Sequence, residues 1–192
     1  WARLATGSNL IVVVVALASV LPTLAAAPLA GWMVDRFPRR RLMLVADGVR
    51  VATSGTVAIS LWAGWMSTPL VVAVAAVAAV AGAVFDPALM ASISVLVPAE
   101  RRLQANSMLG VSGALSGIAG PALGGLLIGF SGLSLAFWFD AASFLVSFLM
   151  VAASSIPMPE RASASDDDGS FAAGWRVVRT NRRVRDLVVV AA

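Results

Sequence analysis

The run Gly31-Trp32-Met33-Val34-Asp35-Arg36-Phe37-Pro38-Arg39-Arg40-Arg41 decides the fold. It is a short basic turn between two long apolar stretches. Residues 8–34 carry no charge, and residues 42–66 carry only Asp47 and Arg50. An arginine-rich turn set between two runs of membrane-crossing length reads as a cytoplasmic loop joining two transmembrane helices.

Working outward, the composition agrees. The 192 residues are 59% hydrophobic and 12% charged, about half the charge of a soluble domain. With no cysteine and no histidine, the chain lacks disulfides and the commonest metal ligands and general bases. It offers no metal site, no cofactor site and no enzyme chemistry. The net charge of +4 is not a nucleic-acid footprint: all fourteen basic residues are arginines, and most of them lie in turns between apolar runs.

The apolar runs predict an all-α membrane protein with spans at about 9–33, 42–66, 70–97, 103–130 and 133–156. Residues 1–156 form the transmembrane bundle. Pro157 to Ser170 and on to residue 181 read as a solvated linker with a short amphipathic helix around Phe171, Trp175 and Val178. Residues 182–192 start another apolar run. Trp1 is not a start methionine and the last five residues are apolar, so the chain reads as a piece of a longer protein. Placing the Gly31–Arg41 turn in the cytoplasm puts loops 35–41, 98–102 and 157–182 on that side; with Arg183 and Arg185 just after the last of them, twelve of the fourteen arginines fall there. The turns at 66–69 and 131–132 hold none. Arg3 and Arg50 are the exceptions. This is the positive-inside pattern of a multi-pass protein of the cell membrane, with the lipid bilayer as its partner.

Gly31-x-x-x-Asp35-Arg36-x-Pro38-Arg39-Arg40 resembles the loop between the second and third helices of the major facilitator superfamily. A plain basic loop explains the arginines but not Gly31 and Asp35. The resemblance implies a gating motif in which Asp35, with Arg36, Arg39 and Arg40, latches two halves of a transporter on the cytoplasmic side. Pro38 replaces the family's second glycine, so the turn after Phe37 departs from the pattern. Ser116-Gly117-x-x-Gly120-Pro121-x-x-Gly124-Gly125 is similar to the fifth-helix antiporter motif of the family's drug exporters, with serine for the first glycine. Its plainer alternative is a small-residue packing face. Ala27-Pro28-Leu29-Ala30-Gly31 echoes Gly120-Pro121-Ala122-Leu123-Gly124, at positions equivalent in an inverted three-plus-three repeat. Phe85-Asp86-Pro87-Ala88, Leu103-Gln104-Ala105-Asn106 and Asp140-Ala141-Ala142-Ser143-Phe144 look like the branch of macrolide-type and siderophore-type exporters.

The resemblance implies a major-facilitator-type bundle holding helices two to six, with the first helix mostly missing and helix seven just begun. It implies proton-coupled export of small amphipathic compounds by alternating access. The proton gradient would be the energy source, and the C-terminal half of the same transporter the partner. An importer or facilitator on the same fold, or a non-transporting scaffold subunit, is the alternative. Charged residues at membrane depth are costly and so have a partner or a task. Asp86, near the middle of its span, is a candidate proton carrier or a packing contact beside Pro87. Asp47 and Arg50, three apart on one helix face, predict an internal ion pair. Asp140 predicts a hydrated carboxylate or one bonded to a neighbouring helix.

Overall fold

The protein is represented by a computed structural model that describes residues 9–154. The readings placed on residues 1–8 and 155–192, including Arg3, the linker, its amphipathic helix and the start of a sixth run, lie outside the described residues.

Four helices follow one another: α1 Asn9–Arg36, α2 Arg39–Trp62, α3 Thr68–Leu96 and α4 Arg102–Ala153, with a 3-10 turn Ala99–Arg101 before α4. There is no strand among the described residues. Each helix is long and apolar enough to cross a membrane. Pro22, Pro28, Pro87 and Pro121 all lie inside helices that run on through them.

The α4 run has 52 residues, about 78 Å at the usual rise, more than twice a hydrocarbon core of about 30 Å. It is two arms meeting at Gly132, whose φ of 81° and ψ of 168° are not helical. Only glycine adopts that backbone without strain. The expected turn at Ser131-Gly132 is therefore made by one residue. Ser131 still belongs to the first arm and donates its hydroxyl to the Leu127 carbonyl at 2.7 Å.

The second arm lies antiparallel to α2. Arg40 meets the backbone at Val151, Asp47 meets Ser147, Ser54 meets Asp140, and Ala58 meets Ser134. From Arg40 to Ser54 the α2 partners step by seven residues, the spacing that keeps one stripe of each helix facing the other. α3 packs on the other side of α2. There Val34, Leu42, Met43, Ala88 and Val151 form a buried cluster drawn from all four helices. α1 leans on α3, where the Thr23 hydroxyl reaches the Ala79 carbonyl at 3.5 Å.

The outside of the bundle is oily. Leu10 is 75% exposed, Ile118 77% and Phe130 89%. Among the fully buried side chains the largest are Asp47, Ser60 and Ser92. Polar groups inside and apolar groups outside suit a lipid surround, where backbone groups must be satisfied within helices.

Candidate functional site

The arginine turn is built as a clamp. Pro38 is the N-cap of α2, with φ of −57°, a value its ring imposes anyway. Its carbonyl accepts from the N–H groups of Arg41 at 2.9 Å and Leu42 at 3.2 Å. No left-handed residue is needed, so proline serves where the family pattern has glycine. Arg39 Nη1 donates to the Ala91 carbonyl at 2.6 Å, near the end of α3. Arg40 donates from Nε to Val151 (3.2 Å) and Ser154 (3.1 Å) and from Nη2 to Ala152 (2.5 Å), at the end of α4. Arg102 holds the Ser94 and Val97 carbonyls at 2.7 and 3.2 Å. The Ser94, Val151 and Ala152 carbonyls lie in the last turns of their helices. Carbonyls there lack intrahelical partners and carry the negative pole, so a guanidinium is the natural cap. Ala91 lies one turn further in. The turns at 35–41 and 98–102 are thereby gathered at one end of the bundle.

Asp35 is exposed and has no side-chain partner among the described residues. Arg36 stacks over Trp32 at 5.2 Å, and Trp32 meets Phe37 edge-on. Arg39 and Arg40 are therefore occupied within the bundle, while Asp35 and Arg36 face outward. Gly31 has open space where a side chain would stand.

The second constellation lies midway along α2. Asp47 is wholly buried, and its Oδ2 accepts the Ser147 hydroxyl at 2.6 Å. Its Oδ1 faces Arg50 Nη1 at 3.7 Å without a hydrogen bond. The expected ion pair is present. The Arg50 guanidinium also lies over the rings of Phe85, at 4.9 Å, and Phe144, at 5.2 Å, where the ring faces attract a cation. Gly82 makes room for it: a Cβ there would stand 2.9 Å from Arg50 Nη2. One turn further along α2, Ser54 donates to Asp140 Oδ2 at 2.5 Å. Arg50, Ser54, Phe137, Asp140 and Phe144 border a cavity of about 660 Å3 with mainly apolar walls, within the size range of small-molecule sites.

Two groups of candidate residues stand apart from these contacts. Among the described residues, the Asp86 side chain is exposed on α3 and has no partner. α3 is apolar nearly all round, so its pattern marks no face to assign Asp86 to. The glycines of the Ser116–Gly125 run, Gly117, Gly120, Gly124 and Gly125, have nothing within 4 Å of an added Cβ. Every residue from Gly110 to Leu123 is exposed, Pro121 among them. Among the described residues, the helix that such a face would receive is not there. Ser54, Ser147, Phe85, Phe144 and Gly82 were missed by sequence reasoning. The repeated spacing of seven, 47 to 54 and 140 to 147, was the signal that could have paired them.

The profile of the family described as Major Facilitator Superfamily matches residues 4–192. The chain belongs to the Major Facilitator Superfamily. This is a family of membrane transporters, not of enzymes, and its helical membrane bundle is the fold seen here. The chain is similar to the multidrug efflux pump Tap of Mycobacterium tuberculosis (strain H37Rv), 36% identical over 146 residues, which are 73% of this chain and 35% of that protein. The multidrug efflux pump Tap of Mycolicibacterium fortuitum is 35% identical over 169 residues, 83% of this chain and 40% of its own length. Macrolide efflux protein A of Streptococcus pyogenes is 27% identical over 190 residues, 96% of this chain and 46% of that protein. The chain thus spans less than half the length of these curated relatives. No solved structure matches it.

Proposed function

We propose that the chain is the N-terminal part of a secondary transporter that exports small amphipathic compounds across the cell membrane in exchange for protons. The observation that carries the reading is the buried Asp47–Arg50 pair, set between three helices in a bundle whose surroundings are otherwise apolar. The efflux relatives support the direction of transport.

The chemistry follows from the contacts. With Ser147 on Oδ2, the open Oδ1 of Asp47 is the place for a proton. A proton there neutralises the carboxylate and releases the guanidinium of Arg50. The cation then rests on Phe85 and Phe144 and is free to turn toward Asp140, which borders the same cavity. One proton bound thus moves one positive charge between two carboxylates. Such a step drives alternating access only if the two states of the transporter bind the proton with different affinity. Asp35 and Arg36, facing outward from the bundle, are the groups left for a latch to the other half.

Everted vesicles holding the full-length transporter test this. Acidifying their interior should drive uptake of a fluorescent amphipathic substrate, and Asp47→Asn should abolish the dependence on the gradient. Uptake indifferent to the gradient would instead mark a facilitator, and no uptake at all a scaffold.

A further inference from the structure

A second hollow lies on the opposite flank of α2, between α2 and α3, with Met33 of α1 at one end. It has a volume of about 450 Å3, and Leu42, Val45, Ala46, Val49, Ala76 and Val80 are among its walls. No polar side chain lines it. It opens outward: Val45 is 65% exposed and Val77 48%. The alanines of α3 cut the trough and the valines of α2 form its bank. It is thus a groove in the outer surface of the described bundle, wholly apolar along its length.

Its cytoplasmic end is not apolar. Arg41 stands in the first turn of α2, four residues before Val45 and eight before Val49, on one stripe of the helix. Side chains on a helix lean toward its N-terminus, so Arg41 leans out of the hydrocarbon toward the headgroup layer. Arg39, Arg40 and Arg102 hold helix carbonyls and Arg36 stacks on Trp32. Arg41 is exposed and has no partner among the described residues. Trp32 and Phe37, both about half exposed, mark the same interface.

We infer that this groove is a binding site for an anionic phospholipid of the cytoplasmic leaflet, with one acyl chain along Val45, Val49 and Val80 and the phosphate on Arg41. An acyl chain matches the walls, which offer contact but no hydrogen bond. A phosphate matches the one guanidinium of the turn that has nothing else to hold. The inference needs only the membrane placement and is independent of what the transporter carries.

The test uses the full-length transporter in nanodiscs of mixed phosphatidylglycerol and phosphatidylcholine, with co-purifying lipid counted by mass spectrometry. The unmodified protein should retain phosphatidylglycerol about fivefold over its share of the mixture, the enrichment one surface arginine supplies. Arg41→Gln should bring that ratio close to one. Arg101→Gln, an exposed arginine of the other turn, should leave it unchanged. Ala76→Phe, which fills the trough, should lower retained lipid of both kinds and covers the case in which the Arg41 variant does not fold. An unchanged ratio in Arg41→Gln, or an equal loss in Arg101→Gln, overturns the site. So does a spin label on Val45→Cys that reports protein packing in place of collisions with lipid, since another part of the transporter would then cover the groove.

Discussion

The two arms of α4 are made of similar residues and behave differently. The second arm is tied to α2 along its length through Ser134, Asp140, Ser147 and the carbonyls near Val151. The first arm carries glycine after glycine and touches almost nothing. In lipid there is no hydrophobic drive between helices, so association comes from close packing and interhelical hydrogen bonds. The second arm finds hydrogen bonds inside this chain. The first has only the capacity for close packing, and that capacity is idle until another helix supplies the matching surface.

The largest effect should come from breaking the second arm's anchorage at its charge pair. Asp47→Ala leaves Arg50 uncompensated in the bundle and should destabilise the full-length protein by about 3 kcal/mol. Thermal unfolding in detergent would show it, and adding Arg50→Met should recover most of the loss. If the double variant is no better than the single, the pair is not the anchor. Next comes Arg40→Met, which strips the cap from the end of α4 and should cost about 1–2 kcal/mol. Fluorescence unfolding reads it, and Arg41→Met is the control expected to cost less. Gly82→Ala, which crowds the flexible end of Arg50 and not backbone, should cost about 1 kcal/mol, visible as a small fall in melting temperature. The smallest effect belongs to the first arm. Gly117→Ala meets nothing within 4 Å, so on these contacts alone its unfolding should change by less than about 0.5 kcal/mol. A loss as large as that of Gly82→Ala would show that a partner helix of the full transporter is seated on the glycine face.

Much of this was legible beforehand because it is written along one dimension. A membrane crossing is a run of apolar residues, and the arginines at 36–41 and 101–102 mark the ends of runs. The Asp47–Arg50 pair was also legible, since three residues on a helix place both groups on one face. What was hidden depends on which helices become neighbours. Arg39 and Arg40 read as gating residues, yet they reach helix ends more than fifty and a hundred residues away. Asp86 read as a proton carrier or a packing contact, and a nearly all-apolar helix gives no sign of which side it stands on. Asp140 was left between water and a neighbour; the neighbour is Ser54. Pro38 broke the family pattern on paper and fits the turn in space, because a proline at a helix start gives up no hydrogen bond that matters.

Gly132 has a mechanical consequence. A single residue joins the two crossings of α4 at one rim, and Arg102 ties the other end of the first arm to the tail of α3. Held at both tips, the arm shows two unlike flanks, the bare one of Gly117, Gly120 and Gly124 and the branched one of Leu115 and Ile118. Which flank a neighbouring helix meets is set by those two ties.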